Sequence, residues 1–180
     1  MQSRFICCIL ALVLCFSTVS ISLASSELTI GMPPWPGVTV KTQVVTQILD
    51  AMGYQSKILE VGPPIIYESM GVKDMDIFLG GWTPQQNPML DPSVEAGKVV
   101  KVRSNLDDAL IGICVSEDAW QGGVRSVGDI AQHADKFDKT IFNIESGTGM
   151  HTALSKMIEN NVGELGDWKH LGTTTPMMLA

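Results

Sequence analysis

The side chains of this sequence best suited to chemistry are two tryptophans framed by proline and glycine. Trp35 lies in Met32-Pro-Pro-Trp-Pro-Gly37, and Trp82 in Gly80-Gly-Trp-Thr-Pro84. An indole face attracts a quaternary ammonium through its ring quadrupole, and such a cation carries no N–H that could hydrogen-bond. Each desolvated, well-placed face contributes about 2 kcal/mol. The plain alternative is that both rings fill a hydrophobic core. A second feature is Ser146-Gly-Thr-Gly149, in which Gly147, Thr148 and Gly149 enter a predicted helix. Free N–H groups at such an entry can meet an anion. The same turn also reads as an ordinary strand-to-helix connection capped by Ser146 or Thr148. A zwitterion with a quaternary amine at one end and a carboxylate at the other would use both features.

Other chemistry has little support. His133, His151 and His170 stand apart, with no HExxH and no paired Cys or His spacing, so no metal site is expected. A GxSxG elbow is lacking. Gly147-Thr-Gly149 follows a predicted strand, but Thr152 occupies the third glycine position of a dinucleotide fingerprint. Cys114 sits in the apolar run Leu110–Val115 and is expected to be a buried, inert thiol. Neither an enzyme nor a cofactor is expected.

These groups must be carried by one compact domain or two small lobes, since the chain has 180 residues. At 45% hydrophobic and 17% charged residues it can bury a core. Lys plus Arg number 12 against 19 Asp plus Glu, a net charge of −7, which makes nucleic acid and anionic membrane surfaces poor partners. Arg4 is the only charged residue before Glu27. The apolar run behind it ends at Ser22-Leu-Ala24, a small-x-small cleavage pattern. Residues 1–24 therefore read as a signal peptide, with an uncleaved anchor as the rival reading. Cleavage would leave Cys114 as the one thiol, and no internal disulfide.

Strands are predicted at Glu27–Gly31, Ser56–Glu60, Met75–Leu79, Val99–Val102, Leu110–Val115 and Lys139–Ile144. Helices are predicted between them. Val40, Val44, Val45, Ile48, Leu49 and Met52 mark the first, with Gly53 as its stop, and others are expected near Ile65–Met70, Val127–His133 and Met150–Glu159. Thr174–Ala180 reads as the start of one more helix, and Trp120 and Trp168 as packing residues in loops or at strand edges. Strands alternating with helices imply βαβ units and a mostly parallel sheet. Ligands of such sheets sit beyond the carboxyl ends of the strands, where Trp35 and Trp82 both fall.

Three segments together resemble the glycine betaine/choline substrate-binding proteins of ABC importers, a group of type II periplasmic binding proteins. They are Ile30-Gly-Met-Pro-Pro-Trp35 with its helix ending Asp50-Ala-Met-Gly-Tyr54, Lys73-Asp-Met-Asp-Ile-Phe-Leu-Gly-Gly-Trp-Thr-Pro84, and Ile141-Phe-Asn-Ile-Glu-Ser-Gly147. The resemblance spans roughly residues 28–180 and implies an α/β fold of two lobes closing on a ligand. The first lobe would occupy residues 25–108, and a partial second lobe 109–180, the chain being shorter than family members. It further implies that Trp35 and Trp82 grip a trimethylammonium group and that Gly147, Thr148 and Gly149 approach the ligand from the second lobe. The expected partners are an ABC permease and ATPase, the expected location is the periplasm, and the expected state is a monomer. A ligand-sensing module of the same fold, uncoupled from transport, is the alternative. Two positions depart from the family: Ile111 stands where choline-binding relatives carry a cage Tyr, and Gly37 where they place an Asp for the choline hydroxyl.

Overall fold

A computed structural model describes residues 27–174 and residue 177. The expected signal peptide, residues 1–24, lies outside these, as does most of the expected terminal helix. Strand β1 (Glu27–Met32) is the centre of a parallel sheet of order β2-β1-β3. Ile30 of β1 pairs with Ile58 of β2 (Gln55–Glu60) on one side and with Ile77 of β3 (Ile77–Phe78) on the other. Placed between two strands and under helices, Ile30 is fully buried.

Helix α1 (Pro36–Ala51) starts with Pro36, whose fixed φ suits a first helical position, and it ends at Met52 before Gly53. The apolar spacing that predicts this helix contains two rows. Val38 and Thr42 are buried and Val45 and Leu49 half-buried, whereas Val40, Val44, Ile48 and Met52 face solvent. Helix α2 (Pro63–Val72) likewise begins on a proline pair and buries Ile66 and Tyr67. Helix α3 (Asn87–Glu95) contributes Leu90 to a cluster with Tyr67 and Val99.

The expected strands at Val99–Val102 and Leu110–Val115 do not form. A run of β-branched residues needs a neighbouring edge to complete its ladder, and β3 presents only 2 residues. Val102 and Leu110 are therefore 88% and 92% exposed instead of core. The same absence of cover corrects a second expectation: Cys114 is an exposed thiol, not a buried one.

Beyond this run lie three short helices, α4 (Glu117–Gln121), α5 (Val127–Ile130) and α6 (Ala134–Phe137), with a 3₁₀ turn at Ala131–His133 between the last two. Ser126 and Asp129 form a reciprocal capping box at the start of α5. The N–H of Arg125, followed by the hydroxyl and N–H of Ser126, holds the Asp129 carboxyl below its usual range. A second parallel sheet then pairs β4 (Thr140–Ile144) with β5 (Lys169–Thr173), in register from Thr140↔Lys169 to Ile144↔Thr173. Helix α7 (Gly149–Glu159) connects the two strands, and its N-cap is Thr148. Val124, Ile130, Leu165 and Trp168 form the core of this part, and the rings of Phe137 and Trp168 lie 6.2 Å apart. Trp168 is thus a packing residue. Trp120 is not: it lies on α4, 48% exposed, with the Arg125 guanidinium 4.0 Å from its ring centre.

Candidate ligand-binding site

The sheet is parallel with order β2-β1-β3, and ligands of such sheets sit outside the carboxyl ends of the strands. Both tryptophans emerge there. Trp35 follows β1 as the N-cap residue of α1, and Trp82 follows β3 in the loop before α3. They share one apolar cluster: Met32, Trp35 and Val38 are buried, and Ile58, Trp82 and Ile144 pack against them. Ile144 is the last residue of β4, so the carboxyl end of the second sheet meets that of the first at the indoles. Trp35 is 9% exposed, and Trp82 is half-buried.

A hydrogen bond crosses between the sheets here. The Trp35 indole Nε1–H donates to Glu145 Oε1 at 2.8 Å. The other carboxylate oxygen, Oε2, is buried and has no hydrogen-bond partner among the described residues. Glu145 opens the turn that holds the other expected ligand residues. Thr148, buried, donates its hydroxyl to the Glu145 carbonyl (3.0 Å) and accepts the His151 N–H (3.2 Å), which fixes the turn as it enters α7. Gly147 adopts φ +88°, and a Cβ there would lie 3.0 Å from the Pro64 ring. At Gly149 a Cβ would stand 2.8 Å from the Gln85 carbonyl oxygen, closer than atoms tolerate. Glycine is what lets the turn lie directly against the loop that carries Trp82. The structure thus brings Trp35, Trp82 and the Gly147–Gly149 turn to one place.

The Trp82 loop has its own internal brace. Gln86, almost fully buried, accepts the Tyr67 hydroxyl (2.7 Å) and the Trp82 N–H (3.0 Å) on one oxygen, while its backbone N–H donates to the Trp82 carbonyl (2.8 Å). Burial pushes the Tyr67 phenol from 10.0 to about 12, because the phenolate would be stranded away from water. A raised pKa of this kind gives stability that is intact below the unfolded value and lost as pH climbs to the folded one. Stability is expected to fall by about 2–3 kcal/mol between pH 10 and 12 from this group. Urea unfolding below pH 10 and near pH 12 measures the drop, and Tyr67→Phe should flatten it; an equally steep drop in that variant would assign it elsewhere.

Gln86 and Tyr67 carried no functional signal in the sequence, and Glu145 stood there only as part of the Ile141–Gly147 segment, since a buried polar side chain shows its partner only in three dimensions. The histidines also differ from expectation. His151 and His170 come together with ring centres 5.0 Å apart, His151 Nδ1 lies 3.1 Å from the Ile144 carbonyl, and Ser146 Oγ lies 3.4 Å from its Nε2. Among the described residues no three His, Cys, Asp or Glu side chains are grouped to hold a metal, and no helix is long and apolar enough to cross a membrane. A depression of about 420 Å³ lined by Asp135, Asp138, Lys139, Asp167 and Lys169 lies by the amino ends of β4 and β5. It is at the opposite end of that sheet from Glu145 and plays no part in the site.

Residues 26–180 match the family described as the substrate binding domain of the ABC-type glycine betaine transport system. An uncharacterized protein, ORF1, of Chromohalobacter salexigens is 37% identical over 113 residues, which is 63% of this chain and 73% of that one. Among solved structures, an ABC-transporter choline binding protein in complex with choline aligns at a TM-score of 0.77 and 26% identity, over 87% of this chain and 54% of its own. Lactococcal OpuAC, in its closed-liganded conformation complexed with glycine betaine, shares the fold at a TM-score of 0.65 and 18% identity, over 85% of this chain and 57% of its own. The chain spans about half the length of these solved structures.

Proposed function

The chain belongs to the family of substrate-binding domains of ABC-type glycine betaine transport systems, with the α/β fold of type II periplasmic binding proteins, and from that premise we propose that it captures glycine betaine or a related quaternary amine for an ABC importer. The observation that carries this reading is the meeting of Trp35 and Trp82 in one cluster at the carboxyl ends of β1 and β3, with the β4–α7 turn against them. The indoles hold the trimethylammonium group by desolvation and ring electrostatics. Backbone groups of Gly147, Thr148 and Gly149 meet the ligand's polar end. No bond is made or broken.

Residues 25–108 and 109–180 act as two lobes, and the contact between Gly149 and Gln85 is where they close. Opening parts the Trp35–Glu145 bond and bares the indole faces; closing around the ligand excludes water and creates the surface that a permease and its ATPase read. Residues 1–24 direct export to the periplasm, where the protein works as a monomer. Thermal-shift screening of the chain against glycine betaine, choline, carnitine, proline and an ordinary amino acid tests this. Stabilisation by the methylated amines alone is the expected result, and stabilisation by primary amines alone would contradict it.

A further inference from the structure

Gln86 stands where a helix usually carries a capping side chain, yet it caps nothing. It is the N-cap residue of α3, and its side chain makes no hydrogen bond to the first turn of that helix. The turn is satisfied without it: the Asn87 N–H donates to the Pro84 carbonyl (3.0 Å), the Met89 N–H to the Gln86 carbonyl (3.1 Å), and Pro88 has no N–H. Serine, threonine, aspartate or asparagine would suit the position better for the helix alone. The longer glutamine arm, almost fully buried, instead turns back and accepts the Tyr67 hydroxyl (2.7 Å) and the Trp82 N–H (3.0 Å) on one oxygen. Trp82 thus has its N–H held by the Gln86 side chain and its carbonyl by the Gln86 N–H (2.8 Å). Its half-buried indole packs at the edge of its cluster, so the backbone decides where the ring stands. Tyr67 anchors the arrangement from below: it is buried, set edge-on to Phe78 at 5.4 Å, and its hydroxyl passes under Gly81, where a Cβ would lie 3.1 Å away.

We propose that Gln86 is a positioning residue of the site: tied to Tyr67, it holds the Trp82 indole in its receiving position before a ligand arrives, and it sets affinity through that ring. The assignment rests on the quaternary-amine reading above and adds to it the residue that prepares the site. A ring carried on a loose loop must be ordered when the cation binds, and that ordering is subtracted from the binding energy; a ring already held escapes the loss. The same brace fixes the neighbouring Gln85, whose carbonyl lies against Gly149, so the ring and the closing contact are prepared together.

Gln86→Asn separates this role from a capping one. Asparagine keeps the amide and is a favoured N-cap, but its arm is one methylene shorter and falls short of Tyr67 and Trp82. Calorimetric titration with tetramethylammonium should show affinity reduced by about 10-fold. Without ligand, the Trp82 indole N–H resonance should broaden or split, and it should sharpen again at saturation. Introduced into Trp82→Ala, the same change should cost no further affinity, because the ring it positions is gone. Tyr67→Phe keeps the packing on Phe78 and removes one anchor; it should move affinity and resonance the same way by a smaller factor, and it decides the matter if Gln86→Asn does not fold. Unchanged affinity or an unchanged Trp82 resonance in the folded variant, or an equal loss of affinity with and without Trp82, would overturn the assignment of Gln86 and leave the cage intact. A wild-type chain that does not bind tetramethylammonium would overturn the quaternary-amine reading itself, and this assignment with it.

Discussion

Trp82→Ala is expected to weaken binding of a quaternary amine by about 30-fold, the equivalent of losing one desolvated cation–π face worth about 2 kcal/mol. The fold should survive, because Trp82 is half-buried at the edge of its cluster and its loop is held through backbone groups by Gln86. Trp35→Ala is the less informative change. That indole is buried between Met32 and Val38 and holds Glu145, so its removal would empty core volume at a cost of about 3–5 kcal/mol in stability as well as affinity. Titration calorimetry with glycine betaine and choline, alongside a melting curve, separates the two effects for Trp82→Ala. Unchanged affinity in a folded variant would remove Trp82 from the site.

An equally large effect on stability is expected from Trp168→Ala. The ring is 5% exposed and packs with Val124, Ile130 and Leu165, with Phe137 tilted against it. Truncation leaves a cavity larger than the neighbours can close, costing about 3–5 kcal/mol. Among the described residues, those that form the core around Trp168 all come from the second sheet's part of the chain, so that part should lose its cooperative unfolding first. Urea denaturation followed by amide exchange would show early loss of protection in β4 and β5, with β1 and β2 retained. Simultaneous loss in both sheets would mean that they form a single cooperative unit.

The order of strands and helices was legible where the sequence carried both period and punctuation. Glycine after Met52 marks the end of α1 as observed, whereas α1 and α2 begin earlier than the apolar spacing indicates, on Pro36 and Pro63. Trp35 and Trp82 were legible as partners because each follows a strand of one parallel sheet, and the β2-β1-β3 order turns that placement into proximity. Residues 99–115 misled because apolar composition reports a preference for cover, not its presence; Val102 and Leu110 find none. Strand β5 went unread for the converse reason. Lys169-His-Leu-Gly-Thr173 is weakly apolar and exists through its ladder to β4. Glu145 was the least legible residue of the site. Its sequence neighbours announce a turn, and only the long-range bond to Trp35 shows that its carboxylate is turned inward.

The central claim is that Trp35 and Trp82 together receive a methylated cation. Tetramethylammonium isolates that cation from any carboxylate or hydroxyl, and the chain's four tryptophans give four indole N–H signals to watch by nuclear magnetic resonance during a titration. The Trp35 and Trp82 signals should move together and saturate at one concentration. Trp120, already covered by Arg125, and Trp168, buried in the other core, should stay in place. Movement of Trp120 alone, or no movement at Trp35 and Trp82, would contradict the claim.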